Sequence, residues 1–432
     1  MPIHRIYHSL PRKILDTANK KPTLLRWLMI FSLIFAGEMI FSLPFHVARF
    51  FRPTLLHVFE LSNTQLGDVF AFYGIAAMLS YFPGGIIADY FSARRLLTFS
   101  LSATALGGIF FAQIPQGRAL TLLFGYWGLT TIFLFWAGMI KAVRQWGNSH
   151  QGQAFGLLEG GRGLVAALMS SIAVLVLAQA LQNDIQQDIA AQTRGIKWVI
   201  YLYTLFTFIA AILVWVVIPE DKNRARTDLS LWSGVSKALS SLQVWLIAAI
   251  VVCAYCAYKA ADNYGLYAVQ VLSMGQVEAA AFMSWSAYLR PIAAIGAGLL
   301  ADRFSASRVI TWCFLVTAAV YLVLATLESS PVLAQLAMLN MSVSFVSVFA
   351  LRAVYFAVLE DSKVKWQITG TAVGIISLIG FTPDIFFVSL AGRILDAAPG
   401  AEGFENYFML MMIIALLGLL VSWFLHRINT AK

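Results

Sequence analysis

GIIADYFSARR, Gly85 to Arg95, returns 213 positions later as GLLADRFSASR, Gly298 to Arg308, with seven of the eleven residues identical. Each copy sets an aspartate and basic residues against a wall of apolar side chains. The interval is close to half of the 432-residue chain, so the repeat points to two halves of similar design, each needing the same short turn.

The surrounding composition fixes the solvent. Sixty per cent of the chain is hydrophobic and 12% is charged, against roughly 25% charged in soluble domains. Such a chain belongs in a bilayer. About 20 apolar residues span one as a helix. Twelve such runs are predicted, at 25–45, 67–89, 96–117, 119–141, 154–182, 198–218, 242–270, 278–302, 309–327, 332–358, 368–392 and 406–426. Helices satisfy their own backbone groups in lipid, and no ten-residue alternation of a β-barrel appears.

Lys and Arg set the orientation, because they collect in cytoplasmic connections. With a cytoplasmic N-terminus, twenty of the thirty fall on that side and six on the other; Arg162, Lys259, Arg290 and Arg352 lie inside spans. The expected architecture is an all-α membrane protein with both termini cytoplasmic. It comprises a basic segment 1–24, a six-helix bundle 25–218, a linker 219–241, a second bundle 242–426 and a tail 427–432. Both copies of the repeat fall in the turn between the second and third helix of their halves. The bacterial inner membrane is the expected location.

Several function classes drop out. The net charge of +9 is scattered through apolar runs and forms no nucleic-acid-reading motif. Cys253, Cys256 and Cys313 sit in apolar segments without neighbouring histidines and read as small core residues rather than metal or redox ligands. No cofactor or metal is called for, and no nucleophile–base constellation marks an enzyme. The polar first 26 residues do not make a cleaved signal peptide. A monomer is expected, contacting membrane lipid.

At the repeated turn the chain resembles the major facilitator superfamily, whose hallmark there is G-x-x-x-D-[RK]-x-G-[RK]-[RK]. Tyr90 stands where the first copy should be basic, Arg303 keeps that place in the second, and Ser92 and Ser305 replace the second glycine. The resemblance implies two pseudo-symmetric bundles around a central cavity and transport by alternating access. It makes Gly85, Asp89, Arg94, Arg95, Gly298, Asp302, Arg303 and Arg308 the inner gate.

An ionisable group at mid-membrane costs at least ~2.5–3.5 kcal/mol, so each needs a reason. The repeat offset places FHVAR, residues 45–49, opposite YKAAD, residues 258–262. His46 and Lys259 then form a basic pair, one per half, where substrate sites lie. Organic-phosphate antiporters of the superfamily resemble this with an arginine pair on the same two helices, which implies an anion site. The other reading of His46 is an interfacial histidine, and Lys259 could snorkel outward. Arg49 and Asp262 face each other by the same offset and are expected to close an outer gate. Asp262 could instead neutralise Lys259, three residues before it.

Glu38 lies thirteen residues into the first run, where desolvation disfavours its charged form. It is the first candidate for proton coupling, with Asp384 second; the other reading is a carboxylate locked to an arginine. Arg290, about 18 Å before Asp302 by helical rise, is a candidate for the anion site, and Arg352 for the inner gate. In GLLEGGRG, Glu159 and Arg162 are three apart and either pair with each other or serve the gate. Tyr73, Tyr255 and Trp285 are candidates to line the cavity. The function expected is secondary transport of a small organic anion or zwitterion, coupled to protons or to a counter-transported solute. The alternative is a proton-coupled drug or metabolite exporter. Exporters of that kind usually show a Gly-Pro motif in the fifth helix, and residues 154–182 hold no proline. Nitrate porters carry arginines on the second and eighth helices; Arg290 fits the eighth, but Ala77 stands on the second.

Overall fold

The computed structural model describes residues 23–147, 151–181, 188–220, 239–327, 331–362 and 366–430. The expected N-terminal segment and the linker therefore lie almost wholly outside the described residues. Among the described residues there are helices and no strand.

The first half holds α1 (Thr23–Met39), a π-helical turn (Ser42–His46), α2 (Val47–Phe50), α3 (Arg52–Val58), α4 (Asn63–Tyr90) and α5 (Ala93–Phe111). It continues with α6 (Gly117–Gly128), a second π-helical stretch (Leu129–Trp136), α7 (Ala137–Gly147), α8 (Gln151–Leu181) and α9 (Ile189–Val217). The second half has α10 (Leu242–Ala260), a 3₁₀ turn (Ala261–Asn263), α11 (Tyr264–Gln270), α12 (Gln276–Ser286), α13 (Leu289–Phe304) and α14 (Ala306–Thr326). Then follow α15 (Pro331–Val354), α16 (Val358–Asp361), α17 (Trp366–Gly380), α18 (Pro383–Ala397) and α19 (Ala401–Thr430).

Among the described residues, eight stretches are long and apolar enough to cross a membrane, and the bent pair Leu24–Met39 with Ser42–Phe50 makes a ninth. The runs expected at 67–89, 96–117 and 278–302 are helical too, in α4, α5 and the α12–α13 pair, but are not among those nine. The last is interrupted by a turn at Ala287–Tyr288, which leaves two helices each too short to span alone.

Two breaks position the chemistry. Pro44 lacks a backbone N–H and cannot continue an α-helix unstrained; the chain answers with a π-helical turn and a 42° bend after α1. At the matching place in the second half, α10 runs on to Ala260 and then tightens into a 3₁₀ turn. α4 and α18 lie antiparallel with almost no side chain between them. A Cβ on Gly67 would stand 2.6 Å from the Val388 carbonyl, and one on Gly74 2.8 Å from the Asp384 backbone. Only glycine permits that approach.

Candidate functional site

Because the helix breaks after α1, His46 and Glu38 meet. Eight residues of straight α-helix would separate them by about 12 Å of rise, yet His46 Nε2 lies 3.0 Å from Glu38 Oε1. The other Glu38 oxygen accepts from Arg162 Nε of α8 at 3.0 Å. Arg162 Nη1 donates to Glu159 Oε1 at 2.6 Å, and the second Glu159 oxygen accepts from Arg290 Nη2 at 3.0 Å. Arg290 reaches in from the other half, its Nη1 3.7 Å from Glu38 Oε1. Its stem lies against Gly163, where a Cβ would be 3.0 Å from Arg290 Cδ. Two carboxylates and two guanidiniums thus alternate across the boundary between the halves. Glu38 and Arg162 are buried and Arg290 is partly buried, whereas the Glu159 side chain is 46% exposed. Glu159 is the most accessible of the four.

A second group surrounds Lys259. Its Nζ lies 2.7 Å from Asp384 Oδ1, and Tyr255 donates to Asp384 Oδ2 at 2.9 Å. The ammonium stands 4.3 Å from the centroid of Phe45, across the boundary, an attraction that grows as water is excluded. Phe45 in turn meets Tyr73 edge-on at 4.8 Å, and Tyr73 and Thr131 share a hydrogen bond of 2.7 Å.

The third group is a stack. Arg49 donates to Asp262 Oδ1 at 2.5 Å and to the Tyr258 hydroxyl at 2.6 Å, again across the boundary. Arg352 lies 3.9 Å from the Tyr258 ring centroid and among Tyr255, Tyr355 and Glu159. Among the described residues, Arg352 has no carboxylate at ion-pair distance.

Beyond these groups, away from the repeated turns, the halves are stitched together. Asp396, at the end of α18, accepts from the backbone N–H of Asn63 at 3.1 Å and of Thr64 at 2.7 Å. It thereby satisfies two of the free donors at the start of α4. Asn63 also donates to Asp396 at 3.0 Å and accepts from the fully buried Arg52 at 3.3 Å. Arg393 pairs with Asp68 at 3.1 Å, and Thr54 donates to Gln276 at 2.7 Å. Ser170 and Ser171 meet Ser284 at 2.8 and 3.0 Å. On α8 and α13, a Cβ on Gly160, Gly296 or Gly298 would meet nothing within 4 Å.

A family model described as the Major Facilitator Superfamily matches residues 27–386. The chain belongs to the major facilitator superfamily. Inner membrane protein YihN of Escherichia coli (strain K12) is 27% identical over 421 residues, covering 94% of this chain and 97% of the relative. The probable nitrate/nitrite antiporter NarK1 of Thermus thermophilus is 24% identical over 308 residues, 68% of this chain and 65% of that protein. Among solved structures, a mutant form of the nucleoside transporter NupG superposes with a TM-score of 0.72 at 13% identity, covering 93% of this chain and 99% of that one. This superfamily member is therefore a multi-pass transporter of the cell membrane, not an enzyme.

Within this major facilitator protein, the expected residues divide. Arg49 and Asp262 are paired, as their offset implied. Glu159 and Arg162 are paired too, with Glu38 and Arg290 joined to them. The basic pair needs correction: His46 and Lys259 do not face one another. The π turn carries His46 onto Glu38, Phe50 and Tyr203 within its own half. Lys259, on an unbroken helix, pairs with Asp384 of its own half and reaches across the boundary only to the ring of Phe45, so Asp262 is not its neutralising partner. Glu38 has both oxygens engaged by cations. Trp285 is 57% exposed and lines a lateral groove with Met274, Glu278, Phe282 and Met338, away from the three charged groups. Arg352 belongs to the Tyr258 stack and not to the repeated turns.

The turns themselves differ from a simple aspartate–arginine clasp. Arg94 stacks 4.2 Å over Trp215, Arg95 pairs with Glu220, and Lys141 donates to the carbonyls of Ala88 and Phe91. Gly85 and Asp89 lie in α4, and Asp89's side chain is outside the described set. In the second copy, no ion pair joins Asp302 to Arg303 or Arg308 among the described residues; Arg303 lies over Phe304. Three participants were missed. Tyr258 was within reach of the repeat offset, as the partner of Phe45. Arg52 and Asp396 sit near helix ends, where a charge reads as an ordinary boundary residue.

Proposed function

We propose that this transporter moves a small organic anion by alternating access between two six-helix bundles, residues 25–218 and 242–426, with both termini in the cytoplasm. The repeated turns then mark the cytoplasmic side, and the arrangement is inward-facing: contacts between Asp396, Asn63, Arg393 and Asp68 close the outer end.

One observation carries the substrate class. Arg352 stands at the boundary over Tyr258 and, among the described residues, has no carboxylate at ion-pair distance, while Glu38, Glu159, Asp262 and Asp384 are each paired with another cation. A mobile anion completes that balance, and a guanidinium offers it a planar fork of donors. The name of the relative NarK1, a probable nitrate/nitrite antiporter, supports an anionic cargo. Transport is driven by exchange or by a proton carried at Asp384, whose side chain is 16% exposed and touched by one cation and one hydroxyl. Glu38 is the fixed anion that holds Arg162 and His46.

A thermal-shift screen of the purified chain against carboxylates, sulfonates, organic phosphates, amino acids and cationic drugs tests the reading. Small anions should stabilise the wild type, and Arg352→Ala should lose most of that response. Stabilisation by cations alone would overturn it. Counterflow in proteoliposomes, with and without a proton gradient, separates exchange from proton coupling.

A further inference from the structure

We infer that Glu159 is a tethered stand-in for the cargo, and that it restricts the chamber to solutes carrying a single negative charge. The inference rests on the anion reading above and goes further, to the charge of the solute and the residue that enforces it.

The geometry at Glu159 is that of a bound carboxylate. Its two oxygens bridge guanidiniums from opposite halves, Arg162 at 2.6 Å and Arg290 at 3.0 Å, with Arg352 nearby. A structural carboxylate in this position would be expected to be buried, as the Glu38 side chain is at 4% exposure. The Glu159 side chain instead is 46% exposed. It sits on α8 beside Gly160, at whose Cβ position nothing lies within 4 Å, so the neighbouring helix face is open. Once it leaves, Arg290 presents free donors beside Arg352.

The charge count fixes the class. With His46 neutral, the chamber holds, among the described residues, five cations, Arg49, Arg162, Lys259, Arg290 and Arg352, and four carboxylates, Glu38, Glu159, Asp262 and Asp384. At the outer end Arg52 and Arg393 are matched by Asp396, through Asn63, and by Asp68. The excess is one positive charge. A carboxylate or sulfonate monoanion neutralises it, whereas a dianion leaves an uncompensated negative charge in a desolvated site beside Glu38 and Glu159. Specificity here comes from repulsion as much as attraction.

The test compares size-matched probes on the full chain in detergent by isothermal titration: isethionate against sulfoacetate, and lactate against malonate. The wild type should bind the monoanion of each pair at least tenfold more tightly. Glu159→Gln, which leaves two excess positive charges, should raise the dianion-to-monoanion affinity ratio at least tenfold; Glu159→Asp, which keeps the charge, should leave that ratio within threefold of wild type. The inference falls if the wild type prefers the dianions, a result that needs no variant. It falls equally if Glu159→Gln and Glu159→Asp, both eluting as monodisperse protein, lose both classes alike, for then Glu159 only positions the arginines. If no anion binds any of the three proteins while a neutral or cationic solute does, the anion reading itself is at fault.

Discussion

Phe45 to Arg49 and Tyr258 to Asp262 occupy matching places in the two halves, and they behave differently. In the first, Pro44 and the π turn rotate His46 back into its own half, against Glu38 and Tyr203. In the second, α10 stays regular through Lys259, which pairs with Asp384 of its own half and reaches across the boundary to lie over Phe45. Phe45 and Tyr258 have parallel fates: each ring receives a cation from the opposite half, Lys259 or Arg49. A duplicated helix keeps the depth of its residues. The local break decides which way they look.

The contrast can be broken at Lys259 first. Replacing it with Met leaves Asp384 largely buried without its cation, and breaking a buried pair costs ~3–5 kcal/mol. A drop in thermal midpoint is expected, with recovery when Asp384→Asn is added; an unchanged midpoint would mean the ammonium stabilises nothing. Next comes the pair that the offset itself predicts. Arg49→Glu or Asp262→Arg alone should remove most transport, and together they should restore part of it, a coupling of about 1–3 kcal/mol between residues in contact. Failure of the double exchange to recover any uptake would count against the contact as a gate.

A smaller effect is expected at the outer seam. Gly67→Ala would drive a Cβ into the Val388 carbonyl, and close-packed helices cannot absorb that without separating. Labelling of a Thr64→Cys reporter by an impermeant maleimide should rise several-fold; equal labelling would show that the seam is not tight. The least change is expected from His46→Gln, which turns away from the chamber. Solute affinity should stay within about threefold of wild type, while Lys259→Gln loses far more. Equal losses would restore the basic pair.

Some of the site was legible before any tertiary contact was known. Glu38, Glu159, Arg162, Lys259, Arg290, Arg352 and Asp384 stood out because charge in an apolar run is expensive, and all of them lie in or beside the three charged groups. Arg49 with Asp262 followed from a fixed interval. Trp285 did not fit, since an aromatic in a span packs against lipid as readily as against a cavity, and the sequence offers no sign of which. Asp396 escaped notice because its value comes from the start of α4, more than 300 residues away, whose free N–H groups it satisfies.

Composition, span length and the repeated turn by themselves determined the solvent, the helical class and the duplicated plan, because each follows from local cost: backbone in lipid must bond to itself. They also fixed which charges had to be explained. Only the tertiary structure decided the partners. A buried charge is costly without compensation, and more than one opposite charge lay within sequence reach of Lys259 and Glu38. The choice among them fell to helix breaks at Pro44 and Ala260, and to glycines that let helices from opposite halves touch.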